Sequence, residues 1–255
     1  QAKFKTGDPR WLVEYDATQA MAIDLTVAPE AESDITAAVT AAKATVDKVG
    51  NITINLTADA AYTVSGSIEA PAGLVINGNN ATIDASALAS AMILMSATPS
   101  VEANEAGFYP INDVVIKDVK VTGLAQQLFY ANKVKYLMNN LVCENSIIQV
   151  NGGNKTVFDF NGGGVVAKLD ISKSTIYANP KHDGALYSSQ SGNKATEAGL
   201  EKQTISIINS TLYNIACGKN VNNHRQANQT WLEYIVKDNI VLDCGKKGQF
   251  VKGLN

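Results

Sequence analysis

The chain has 255 residues, 45% hydrophobic and only 18% charged, a globular profile with a thin charge coat rather than the signature of disorder. A formal net charge of −3 and a pI near 5.4 supply no basic face for nucleic acid or anionic lipid, and no apolar run of about 18 residues is present to span a bilayer. Asn, Ser, Thr and Gly take the place of the missing charge.

Residues 1–32, including "DPRWLVEYDA", precede the first periodic element. They read as a lead-in: the tail of a preceding module, or a strand pairing with the first turn of the main domain. The opening "QAKFKTGDPR" has no apolar h-region, so the chain is either cytosolic or an exported one whose signal is missing from this sequence. Residues 33–49, "SDITAAVTAAKATVDKV", place Ile35, Val39, Ala42, Val46 and Val49 on one stripe, with Ser33 or Asp34 as N-cap and Gly50 as the stop. The spacing predicts one amphipathic capping helix.

After Gly50 the helical period gives way to short β-type segments that repeat: "VIKDVKV" (115–121), "LMNNLVC" (137–143), "DISKSTI" (170–176), "SIINSTL" (206–212) and "IVKDNIV" (235–241). Asp118, Asn140, Lys173, Asn209 and Asp238 occupy the expected corner, which suggests a unit near 22 residues with insertions of variable size. "NGNNATIDAS" (77–86) reads as an earlier, diverged corner rather than a ligand loop. A third apolar cluster comes after several copies: "LFY" (128–130), "ALY" (185–187) and "QFV" (249–251). Three short strands per turn describe a coil of a single-stranded parallel β-helix, an all-β fold in which each strand stacks on its equivalent about 4.8 Å away. Residues 33–255 form this domain.

The helix, the "NITINLTADAAYTVSGSIEAPAGLVINGNNATIDAS" stretch and the "VVIKDVKVTG" and "ISIINSTLYN" copies resemble the pectate-lyase-like right-handed β-helix superfamily. More narrowly they are similar to uncharacterised β-helix domains of secreted or surface-anchored proteins of Gram-negative gut bacteria. The resemblance implies a right-handed coil and an exported protein at the cell surface, in the periplasm or outside the cell. Lyases, hydrolases, esterases and plain binding proteins share this architecture, so the activity has to come from the site. A neighbouring module at either chain end is compatible with this reading.

Two corner insertions carry the chemistry-bearing side chains. "YANPKHDGALYSSQSGNKATEAGLEKQ" (177–203) holds Lys181, His182, Asp183 and Tyr187, and "CGKNVNNHRQANQTW" (217–231) holds Asn222, Asn223, His224, Arg225, Gln226 and Trp231. Lys181, His182, Tyr187, His224 and Arg225 are the candidates to hold or deprotonate a uronate, while Asp183, Asn222, Asn223, Gln226 and Trp231 are the candidates to bind sugar hydroxyls or stack on a ring. The paired carboxylates of a glycoside hydrolase and the stacked acids of a calcium-dependent lyase are not in the pattern. No metal site or cofactor is expected. The reading is a polysaccharide-binding or structural module, with a metal-independent polysaccharide lyase as the alternative. Cys143, Cys217 and Cys244 form neither a disulfide framework nor a metal-ligand spacing, although "CGK" recurs at 217 and 244.

Overall fold

The computed structural model describes residues 19–95, 98–131, 134–161, 163–189, 195–223 and 231–252. Strands dominate, and every strand pair among the described residues is parallel. Parallel neighbours cannot be joined by a tight hairpin, so the chain must travel around before it returns. Here the return is made by other strands. Ile52 pairs with Leu74, Leu74 with Val114, Val114 with Leu141, Leu141 with Leu169, Leu169 with Ile205, and Ile205 with Tyr234. Two further ladders keep the same order: Thr82, Lys120, Ile147, Thr175, Thr211 and Ile240 in one, and Ile68, Ile93, Phe129, Phe158, Tyr187, Asn222 and Val251 in the other. The result is an all-β protein with long parallel sheets, consistent with a parallel β-helix.

The steps along the first ladder are 22, 40, 27, 28, 36 and 29 residues. A 22-residue turn therefore occurs once, between Ile52 and Leu74, and the later turns are longer than the sequence unit suggested. The copy at 137–143 departs from the expected register. Asp118, Lys173, Asn209 and Asp238 do take the left-handed corner conformation, with φ between 51° and 56°, but the matching corner is Asn145 and not Asn140. Asn140 lies inside the strand Tyr136–Glu144, where Asp113 accepts from its backbone N–H and from its side-chain amide, both at 2.9 Å. In the amide-rich stretch, Asn79 and Asn80 are both left-handed, and the strand Leu74–Asp84 bends there without ending. It is a corner.

Alternation fills the interior. Ile54, Ile76, Ile116, Cys143, Ile171 and Ile207 share one register and are all fully buried. Each such aliphatic side chain contributes roughly 1.5–3 kcal/mol on burial, and Cys143 behaves as one more hydrophobe in the row. Just past the corners a second row forms from hydroxyls. Ser146 Oγ accepts from Val119 N–H, Ser174 Oγ from Ser146 N–H, and Ser210 Oγ from Ser174 N–H, and Asn239 Oδ1 takes the same place for Ser210. These side chains satisfy backbone donors that the bend removes from the ladder.

The helix α1, Ile35–Lys43, is shorter than the spacing predicted. Asp34 is its N-cap, accepting from Thr36 N–H, and the chain leaves the helix at Ala44. Gly50 is not the stop, since it sits in the strand Val49–Leu56. A Cβ there would lie 2.9 Å from the backbone of Met21, so glycine allows the close approach of the strand Met21–Val27. That strand pairs with Val49–Leu56 in parallel register, which makes residues 21–27 part of the stack. The helix rests on Met21–Val27 and Ile68–Glu69, burying Ile35 and Val39. It covers the first turn where a third-ladder strand would otherwise stand.

Candidate functional site

The third ladder brings chemistry-bearing residues together on the face turned away from the core. Phe158 and Phe160 belong to the core cluster, and the Phe160 ring lies 5.0 Å from Phe129 and 5.7 Å from Tyr187, so the residue between them, Asp159, points outward. Its register neighbours are Tyr130 on one side and Ser188, then Asn223, on the other. Four hydrogen-bonding side chains thus succeed one another at the inter-strand spacing of about 4.8 Å. The row is close to covered: Asp159 is 7% exposed, Ser188 1% and Asn223 6%.

The Asp159 carboxylate is held from both ends. Oδ1 accepts from Asn161 N–H at 3.0 Å, and Oδ2 accepts from the Gln127 amide at 3.4 Å. Asn161 in turn accepts from Ser188 Oγ at 3.3 Å. Burial pushes the Asp159 carboxyl up from its ordinary value, against the opposing pull of those hydrogen bonds and of the Lys219 and Lys155 ammonium groups. Burial, and next the Asp159 charge, push the Tyr130 phenol up as well. An outward carboxylate with a raised pKa, three amides, two hydroxyls and two nearby cations can donate to, accept from and charge-pair with a hydroxyl-rich ligand.

The corner loops beside this row are packed tightly against one another. His182 is 1% exposed, and its Nε2 lies 2.6 Å from the Lys155 carbonyl oxygen. Its backbone N–H bonds to the Asn214 carbonyl, and its own carbonyl accepts from Cys217 N–H. Burial holds the imidazole below its ordinary pKa, the Lys155 hydrogen bond opposing. Asp183 N–H bonds to the Gly153 carbonyl at 2.7 Å, and a Cβ on Gly184 would lie 2.1 Å from the Lys155 carbonyl oxygen. His182 is therefore the internal clamp of the corners that carry Lys155 and Lys219.

The sequence candidates separate accordingly. Lys181 and Asp183 are exposed at the corner, whereas His182 and Tyr187 are buried, Tyr187 in the core row beside Phe158. Asn222 shares that inward register, fully buried, with no hydrogen-bond partner for either amide atom among the described residues. Asn223 is in the outward row. His224, Arg225 and Gln226 lie outside the described residues, and only the backbone of Trp231 is described, at the start of the strand Trp231–Lys237. Part of the first insertion serves packing. Ala195 and Ala198 cover Phe108 and Val165, and Glu197 pairs with Lys135, whose ammonium lies 5.2 Å from the centre of the Phe108 ring.

Sequence reasoning missed Tyr130, Asp159, Gln127, Asn161 and Ser188, taking Tyr130 only as part of the apolar cluster "LFY". The signal was the triplet "FDF" at 158–160, in which alternation sends an acid to the face opposite two aromatic rings. A cleft of about 640 Å³ lies against the same corners, lined by Lys181, Cys217, Asp243, Cys244, Lys247 and Phe250 among others. Among the described residues no group of three or more His, Cys, Asp or Glu side chains is arranged to hold a metal ion, and no helix is long and apolar enough to cross a membrane.

Long parallel sheets closed by one helix, with an outward polar row on the third ladder, define the class of protein. Residues 34–179, more than half of the chain, match the family described as Domain of unknown function (DUF4957), and the chain belongs to that family. No curated protein and no solved structure matched it.

Proposed function

We propose that this protein is a right-handed parallel β-helix of three strands per coil, similar to the pectate-lyase-like superfamily, that binds polysaccharide outside the cytoplasm. The observation supporting this reading is the outward row Tyr130, Asp159, Ser188 and Asn223, flanked by Gln127 and Asn161. The parallel ladder sets these groups at a fixed repeat, half-buried Tyr130 and Asn161 are its accessible edge with Asp159 beneath them, and sugar hydroxyls and ring faces are met by such amides, carboxylates and tyrosines. The exported location rests on the resemblance.

The test is affinity electrophoresis of the purified protein against acidic and neutral plant and host polysaccharides, together with ultraviolet absorbance for unsaturated uronates. Retardation by at least one glycan, lost in Asp159→Asn and weakened in Tyr130→Phe, is the expected result. Absence of retardation across the panel would overturn the binding reading. The lyase alternative draws on the cations Lys155 and Lys219 beside Asp159, which could neutralise a uronate carboxylate. It requires new absorbance, and absorbance that survives in both Lys155→Ala and Lys219→Ala would remove that support.

A further inference from the structure

Two of the three cysteines stand apart from the core. Cys143 is fully buried in the aliphatic row, its thiol 3.9 Å from Ser174 Oγ, and burial pushes it up to about 12. Cys217 and Cys244 are partly exposed and line the same cleft of about 640 Å³. They belong to the two "CGK" corners, and those corners run side by side. Gly245 N–H bonds to the Ile215 carbonyl at 3.1 Å, and Lys246 N–H to the Lys219 carbonyl at 2.6 Å. Between those two hydrogen bonds the 215–219 corner has more residues than its neighbour, so Cys217 sits on a bulge opposite Gly245 and Lys246, next to Cys244.

The two thiols are close enough for the Cys217 charge to act on Cys244. Cys217 Sγ donates to the Asp243 carbonyl at 3.2 Å, and that carbonyl is joined directly to Cys244. Cys244 Sγ donates to the Leu242 carbonyl at 3.1 Å, one residue away. Because Cys217 Sγ reaches the carbonyl bonded to the Cys244 nitrogen, it lies within about 6 Å of the Cys244 Cα, a separation that side-chain rotation can close to a disulfide. We propose that Cys217 and Cys244 form a reversible disulfide that staples the coil of residues 231–252 to the one before it.

The chemistry balances with a small-molecule disulfide, such as oxidised glutathione, as the oxidant. The Cys217 thiolate attacks one sulfur of that disulfide, giving a mixed disulfide and one free thiolate. The Cys244 thiolate then attacks Cys217 Sγ, forming the internal bond and expelling the second small thiolate. Two electrons pass to the oxidant and two protons are released by the protein. Lys181, Asp183, Asp243 and Lys247 carry charge around this corner, with Lys219 and Lys246 in the two "CGK" turns themselves. Burial pushes both thiols up, with the Lys181 ammonium opposing at Cys217, so the exchange speeds up above neutral pH.

The bond would act on the coil that carries residues 231–252. The strands Trp231–Lys237, Ile240–Leu242 and Val251–Lys252 each pair on one side only among the described residues, and Ile240 and Leu242 are 58% and 54% exposed. Closing a loop of 27 residues corresponds to an opening equilibrium lower by on the order of 100-fold.

The experiment uses the full chain, reduced and then incubated with oxidised glutathione at about pH 8.5. The sample is then alkylated, digested without reduction and read by mass spectrometry. The expected result is one cross-linked peptide joining Cys217 to Cys244, with Cys143 alkylated only after denaturation. In the same sample, amide exchange in 231–237 and 240–242 should slow at least tenfold relative to the reduced protein and recover on reduction. Two free thiols at 217 and 244, a persistent glutathione adduct on either, or a bridge through Cys143 would each overturn the proposal. Cys217→Ser and Cys244→Ser should abolish the exchange difference. Because the main comparison is oxidised against reduced wild type, it stands even if a variant folds poorly.

Discussion

Asp159 shows how one residue can be costly to the fold and useful to the site. Its carboxyl prefers to be protonated more than it does in the unfolded chain, so stability is present in full below the ordinary carboxylate range and is lost as pH rises through the raised pKa. At neutral pH the charge remains a cost. Asp159→Asn keeps an acceptor for Asn161 N–H and should raise stability by about 0.5–2 kcal/mol in urea unfolding while weakening glycan retardation. His182 has the opposite sign. Its folded pKa is depressed, so its contribution is present above about pH 6.5 and is lost as pH falls through the folded value. Urea midpoints should therefore fall between pH 7.5 and pH 5.5, and His182→Gln should flatten that dependence. Ser174 is a simpler case: its buried hydroxyl accepts from Ser146 N–H and donates to the Ser172 carbonyl. Ser174→Ala should destabilise by about 1–3 kcal/mol, read from the same titration.

The elements explain which parts of this were legible in the sequence. Left-handed corners and aliphatic runs are written locally, so Asp118, Lys173, Asn209 and Asp238 could be found one by one. Asn140 misled because a strand can hold an amide when a neighbouring coil supplies its partner, here Asp113, and that partner is 27 residues away. The helix boundary failed for a similar reason, since Val49 and Gly50 answer to the strand Met21–Val27 rather than to the helical stripe. The site was harder still. Tyr130, Asp159, Ser188 and Asn223 come from four coils, and only a correct register aligns them. The first insertion looked like a binding loop because it is polar, yet Ala195 and Ala198 tie part of it to Phe108 and Val165. Replacing Ala198 with Asp should loosen that flap, seen as faster limited proteolysis near 195–200, and leave the urea midpoint within about 0.5 kcal/mol of wild type.

At the scale of the molecule, stability is passed from coil to coil. Each strand in the ladders touches its neighbours one step away, and the helix closes one end of the series. Such a stack has the near one-dimensional energetics of repeat proteins, in which each unit is secured by the interfaces on its two sides. Amide exchange should reflect this order, slowest in Tyr136–Glu144 and Val165–Ser172, which have partners on both sides, and fastest in Ile240–Leu242. A flat exchange profile across these strands would contradict the scheme.

The parallel ladders also give the protein a direction of mechanical weakness. Hydrogen bonds between coils run along the axis of the stack, while the strands lie across it. A pull on the C-terminal end along that axis loads the bonds of a single coil at a time, so the coils should peel off in sequence at low force. A pull across the stack instead loads the covalent chain and many ladder bonds together. If this protein links one body to another, the side from which it is tethered will decide whether it behaves as a rigid spacer or as a spool that unwinds.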